Sequence, residues 1–275
     1  MTVRKSEAAA NRPADSCRPH YKVALFDFDG TLSLIRTGWQ QIMLPMMVEV
    51  LLECPRCEDP ETIRGIAETA MWRLTGKETI YQMEALAQLV RERGREPLAP
   101  RAYKREYLRR LSHAIAGRVE ALKSGGSAPD NYLVPGAHAF LCSLYRYGVR
   151  LYLASGTDQE DVSEEAGLLN IARYFEGRIF GAREDRSSSK AALVRRILDS
   201  SECKPDELIV FGDGYVEIEE VKKSGGFAVG MATSEPECLH IDAWKRDRLQ
   251  DAGADRIVPN FLCHDSLMAL VCGGQ

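Results

Sequence analysis

The stretch from Val23 to Leu32, Val-Ala-Leu-Phe-Asp-Phe-Asp-Gly-Thr-Leu, constrains this chain more than any other. An apolar run of this length that stops at a glycine and a threonine reads as a strand buried on both faces, the pattern of a parallel sheet. Two aspartates stand at its end. Side chains alternate along a strand, so Asp27 and Asp29 start from one face before Gly30 turns the chain. Carboxylates this close repel unless a cation lies between or beside them, and hard oxygen donors at a strand end suit magnesium. The first hypothesis is a metal site that handles phosphate; two solvated turn aspartates are the plain alternative.

From Pro135 onward short apolar runs alternate with helical spacing. Strand candidates are Val149–Ala154, Arg178–Gly181, Glu207–Phe211, Phe227–Met231 and Arg256–Val258, with helices between them and a last helix through Leu267, Leu270 and Val271. This alternation implies an α/β fold, an open Rossmann-like parallel sheet covered on both sides. Such sheets bind ligands beyond the carboxyl ends of their strands. Three strands end there in polar residues: Asp27 with Asp29, Ser155 with Thr157, and Asp213. Ser155 and the amides after Gly156 are placed to hold phosphate oxygens near a helix start, which Asp158 is expected to cap. Lys190 opens a helix after Ser187-Ser188-Ser189, where the helix dipole disfavours a cation; a nearby aspartate or phosphate would give it a reason to stand there, and a merely solvated lysine is the plain alternative.

Between Leu32 and this region the pattern is helical. Trp39, Ile42, Met43, Met46, Met47, Val50 and Leu51 form one apolar stripe, with Thr37 and Gln40 as a capping box and Pro45 expected to kink the helix or delay its start. A second helix is expected from the cap Asp59 and Pro60, a third through Ile80 to Val90, and a fourth after Pro100 carrying Tyr103, Tyr107 and Leu111. Ser124 to Asn131 is a cluster of turn formers that returns the chain to the sheet. The expected division is a polar tail over 1–20, an α/β core over 21–33 and 131–275, and a helical insert over 34–130. Arg91, Arg93, Arg95, Arg101, Lys104, Arg105, Arg109 and Arg110 make the insert's later half basic, read as solvated helix faces.

Asp27-Phe28-Asp29-Gly30-Thr31 resembles the first motif of the haloacid dehalogenase superfamily in its phosphatase branch. Ser155 resembles the second motif, Lys190 the third, and Gly212-Asp213-Gly214-Tyr215-Val216-Glu217 the fourth, in order and in strand-end context. The resemblance implies that Asp27 attacks phosphorus to form an aspartyl-phosphate, and that Asp29 protonates the leaving oxygen and then activates water. It implies that Lys190 pairs with the nucleophile, Ser155 and Gly156 hold phosphate, and Asp27, Asp213 and the Asp29 carbonyl hold Mg²⁺. Glu217 stands where an aspartate is commoner, so its contact with metal stays open. The insert corresponds to a helical cap that closes over the site, with Arg36, Trp39 and Lys77 as candidate substrate contacts; surface charge for Arg36 and Lys77 and core packing for Trp39 are the alternatives. The activity implied is hydrolysis of a small phosphorylated metabolite, a sugar phosphate or phosphoglycolate-like compound. A phosphosugar mutase would use the same motifs, and a catalytically silent metabolite-binding protein would keep the fold.

The rest of the composition narrows partners. A formal net charge of -4 offers no general attraction to nucleic acid or an anionic membrane. The first twenty residues lack a secretory apolar core, and Ile42 to Cys54 is too short to span a bilayer, so a soluble cytoplasmic protein is expected. Eight cysteines without an export signal read as free thiols. Cys54 and Cys57 have the spacing of half a zinc site, yet no second pair follows beyond a remote Cys263-His264.

Overall fold

The computed structural model describes residues 19–183, 190–200 and 203–273. The expected tail over 1–20 lies outside them except for Pro19 and His20, and so do Ser187, Ser188 and Ser189. In chain order the elements are β1 (Val23–Asp27), α1 (Gln40–Leu52), α2 (Pro60–Arg73), α3 (Thr79–Glu92), α4 (Pro100–Lys123), α5 (Ala137–Arg146), β2 (Arg150–Asp158) and α6 (Gln159–Leu168). They continue with α7 (Ala172–Phe175), β3 (Ile179–Ala182), α8 (Lys190–Asp199), β4 (Leu208–Gly212), α9 (Tyr215–Ser224), β5 (Phe227–Met231), α10 (Ala243–Asp251), β6 (Arg256–Val258) and α11 (His264–Val271).

The six strands form one parallel sheet in the order β3-β2-β1-β4-β5-β6. All five residues of β1 are buried, as an apolar run between two layers of helices requires. Ala24 and Phe26 point into one core and Val23 and Leu25 into the other. Phe26 stacks on Phe211 of β4 with ring centroids 4.8 Å apart, and Phe140 of α5 stacks on Phe261 at 5.2 Å. Strand order reverses between β1 and its neighbour β4, so the crevice beyond Asp27 is the place where an open α/β sheet presents ligands.

Helices α1 to α4 form the inserted α-helical cap, and its methionine stripe is core packing: Met43, Met46, Met47, Met71 and Met83 are all buried. Asp59 caps α2 as expected, accepting from the Glu61 and Thr62 amides. The capping box at α1 does not form; Trp39 holds the cap position without a side-chain bond, because the Thr37 hydroxyl donates instead to Glu235 Oε2 at 2.8 Å. The helix also begins upstream of Pro45 rather than at it. Asp158 likewise makes no cap bond at α6, since its carboxylate is drawn to the Lys104 ammonium of α4. The basic half of the cap is only partly solvated: Arg93 is buried against Glu58, and Arg110 is shared by Glu49 and Glu106. Among the described residues no helix is long and apolar enough to cross a membrane.

Candidate active site

The turn after β1 sets the site. Gly30 has φ +74°, and a Cβ there would stand 2.4 Å from Asp213 Oδ2, so only glycine lets the first strand end and the fourth motif approach this closely. Lys190, the first residue of α8, is buried and reaches back over the sheet edge. Its Nζ lies 2.8 Å from Asp27 Oδ1 and 2.9 Å from Glu217 Oε2. Burial by itself would disfavour the ammonium; Asp27 and Glu217 more than offset this and hold its pKa above the ordinary lysine range. For Asp27 burial is the larger influence and drives the carboxyl well above its usual range, with Lys190 opposing and Glu217 and Asp213 adding to the rise.

Glu217 resolves differently from a free ligand. Its Oε1 accepts from the Gly214 amide at 2.9 Å, so Lys190 and that amide take one oxygen each. Gly212 makes room for it, since a Cβ there would meet Glu217 Oε1 at 2.4 Å. Asp29 occupies the other side of the crevice. Its Oδ2 accepts from Thr157 Oγ1 at 2.8 Å, its Oδ1 has no hydrogen-bond partner among the described residues, and Arg36 Nε stands 3.9 Å away. Burial raises the Asp29 pKa, against the pull of Arg36 and Thr157, which favours a carboxyl able to carry a proton.

Ser155 is buried beside Asp29, at 3.4 Å from its Oδ2, and accepts from the Thr157 amide at 3.0 Å. Gly156, Arg36, Trp39 and Lys77 all line a cavity of about 110 Å³ together with Asp27, Asp29, Thr157, Lys190 and Asp213. Arg36 is not a surface charge: it is buried, with Nη2 2.7 Å and Nε 3.0 Å from Glu165 Oε1 and Nη2 3.1 Å from Asp161. Lys77 is exposed at the mouth, its Nζ 5.7 Å from the Tyr81 ring centre.

Lys245 and Glu235 are among the residues that nothing in the sequence marked. Lys245 of α10 places Nζ 3.0 Å from both Asp213 Oδ2 and Glu235 Oε1. The helix AWKRDRLQD buries only Leu249, so it carries no apolar periodicity to announce it. Ligand oxygens of Asp27, Asp213 and Glu217 lie within 4.8 Å of one another, and this is the only such group found among the described residues; it includes no cysteine, so Cys54 and Cys57 build no zinc centre there. Four carboxylates, Asp27, Asp213, Glu217 and Glu235, face two ammonium groups, Lys190 and Lys245. The surplus of negative charge and the all-oxygen donor set fit a hard divalent cation.

The sequence matches the family model of haloacid dehalogenase-like hydrolases over residues 21–225, and the chain belongs to that family of enzymes. Comparison with curated proteins finds no match. The fold is similar to that of a predicted phosphoglycolate phosphatase from Haemophilus somnus, with TM-score 0.59 and 15% identity over 90% of this chain and 98% of that one. It is similar also to a HAD family hydrolase from Deinococcus radiodurans with bound phosphate and sodium (TM-score 0.54, 17% identity, 93% and 97% covered). A third is CbbY from Rhodobacter sphaeroides in complex with xylulose-(1,5)bisphosphate (TM-score 0.55, 18% identity, 88% and 95% covered). At these identities the likeness establishes the fold.

Proposed function

We propose that the protein is a Mg²⁺-dependent phosphomonoester hydrolase acting on a small phosphorylated metabolite. The observation that carries this reading is the charged cluster at the end of β1, where Asp27 and Asp29 share one crevice with Lys190 and Asp213. Asp27 is the nucleophile toward phosphorus, and the buried Lys190 beside it counters the charge that builds on the phosphoryl oxygens. Asp29, its pKa raised by burial and its Oδ1 without a hydrogen bond among the described residues, gives its proton to the departing alcohol and then takes one from the water that opens the aspartyl-phosphate. Ser155 and Gly156 border the phosphoryl position. Asp27 and Asp213 hold the cation with the Asp29 carbonyl, and Mg²⁺ there supplies Lewis-acid stabilisation of phosphoryl charge. Glu217 positions Lys190 and orders the Gly214 turn rather than serving as a ligand.

The test is phosphate release from sugar phosphates, phosphoglycolate and nucleotides with Mg²⁺ or with EDTA, using the native protein and Asp27→Asn. Release that needs Mg²⁺ and disappears in the variant is expected. Isomerised sugar phosphate without free phosphate would identify a mutase, and stoichiometric binding without turnover a silent binding protein; either result overturns the hydrolase reading.

A further inference from the structure

One motif takes no part in the catalytic crevice: Cys54-Pro55-Arg56-Cys57, which follows α1 in the cap. Pro55 and Arg56 form a turn, so the two cysteines stand at its ends. The ends of such a turn lie within about 7 Å at their Cα atoms, and proline is favoured in its second place because its φ is already set. A disulfide spans Cα separations of about 4.4 to 6.8 Å, so the backbone brings this pair into range. The turn is also tied down. The Arg56 amide donates to the Arg93 carbonyl at 3.2 Å, and the Arg93 guanidinium donates to both Glu58 carboxylate oxygens at 2.7 Å.

The two thiols differ in access. Cys57 is exposed, whereas Cys54 is buried in the core of the cap, its Sγ donating to the Val50 carbonyl at 3.6 Å. Burial is the main influence on the Cys54 thiol and raises its pKa; Arg95 and Arg93 lower it, and a charged Cys57 raises it, the mark of two sulfurs within electrostatic reach. No metal claims the pair, since the one group of potential ligands found among the described residues is Asp27, Asp213 and Glu217. Arg56, exposed within the turn, suits the carboxylates of an incoming glutathione.

We propose that Cys54 and Cys57 form a reversible dithiol-disulfide site that exchanges with glutathione disulfide. The Cys57 thiolate attacks one sulfur of glutathione disulfide; that S–S bond breaks, and one glutathione leaves as a thiolate with the electron pair. Cys54 then gives its proton to solvent, and its thiolate attacks Cys57 Sγ, which forms the internal disulfide and releases the second glutathione. Two protein thiols are oxidised, and glutathione disulfide is reduced to two glutathiones that take up the two protons. The ring closed is short and gains little loop entropy, so excess reduced glutathione opens it again. The site is independent of the hydrolase reading.

The test treats the reduced full chain with glutathione disulfide under native conditions, alkylates the remaining thiols and weighs the peptides by mass spectrometry. The native protein is expected to lose two hydrogens and to show the Cys54 and Cys57 peptides joined, with the bond reopened by excess reduced glutathione. Cys54→Ala is expected to retain about tenfold more glutathione on Cys57 than the native protein, because the neighbouring thiol that would expel it acts at a millimolar or higher effective concentration. Cys57→Ser, a change at an exposed position, is expected to leave Cys54 unmodified. A native protein in which both thiols stay reduced, or in which glutathione stays on Cys57 as it does in Cys54→Ala, overturns the inference, and so does a Cys54 that reacts as readily in Cys57→Ser. Should Cys54→Ala fail to fold, the native protein alone decides: the joined peptides uphold the site, and their absence overturns it.

Discussion

Lys245 Nζ lies 3.0 Å from Asp213 Oδ2, which puts a core ammonium on one oxygen of an expected metal ligand while Glu235 holds that ammonium from the other side. All three side chains are mostly buried, so the group acts as a unit. Lys245→Met leaves Asp213 and Glu235 facing each other without a counter-charge. The metal-free protein is expected to lose about 3 kcal/mol in a denaturant titration, the scale for removing one member of a buried ion pair. A divalent cation then has more charge to neutralise, so the Mg²⁺-induced rise in melting temperature should exceed that of the native protein. A smaller rise would show instead that Lys245 helps to hold the ion.

Thr157 acts on Asp29 through a single bond, Oγ1 to Oδ2 at 2.8 Å. Thr157→Val keeps the shape and removes the donor. If Asp29 protonates the leaving alcohol, kcat for an alkyl phosphate should fall about tenfold, close to the 1.4 kcal/mol of one well-placed hydrogen bond. The loss with p-nitrophenyl phosphate should be smaller, because that leaving group departs without help from an acid. Equal losses on both substrates would separate Thr157 from proton transfer.

How far the sequence could be read follows from what each residue's neighbours are. Strand β1 and the end of β4 were legible because a strand buried on both faces must be apolar throughout and a polar residue then marks its end, as Asp27 and Asp213 do, whereas β2 runs on past the expected stop at Ser155 to Asp158. Lys190 was legible as a cation at a helix start that needed an anion, and Asp27 is that anion. The capping assignments at Thr37 and Asp158 failed because distant partners, Glu235 and Lys104, outcompete the local amides. Arg36 looks like a surface charge until Glu165, far along the chain, is folded against it. Tyr107, expected only as one of the residues carried by the fourth helix, packs in the core and also lines the cavity. Long-range pairs of this kind leave no spacing in the sequence.

Lys190 and Glu217 offer a way to separate holding a lysine from holding a metal. Lys190→Met removes the ammonium from between two buried carboxylates and is expected to destabilise the protein by roughly 3–5 kcal/mol. Glu217→Gln keeps an amide oxygen for the Gly214 N–H and leaves Lys190 its bond to Asp27, so about 1 kcal/mol is expected there. Mg²⁺ affinity, followed by calorimetric titration, should change by less than about threefold in Glu217→Gln if the residue only positions Lys190. A loss of ten- to a hundredfold, the scale of disturbed metal coordination, would make Glu217 a ligand.

The seam between cap and core is closed by aromatic rings and one arginine. Trp39 and Trp72 stand with ring centroids 6.1 Å apart, Trp72 and Trp244 4.6 Å apart, and these are the chain's 3 tryptophans. Arg248 of α10 lies over the Trp244 and Tyr215 rings and donates to the carbonyls of Trp72, Arg73 and Thr75 at the end of α2, where C-terminal carbonyls need donors. Every tryptophan therefore reports on this seam. Arg248→Ala removes the donor that ties α2 to α10 and should loosen the cap without touching Asp27 or Lys190. Acrylamide quenching of tryptophan fluorescence is expected to increase, with a stability loss of about 1–2 kcal/mol and a rise in KM larger than any change in kcat. Unaltered quenching would mean that ring packing alone closes the cap over the site.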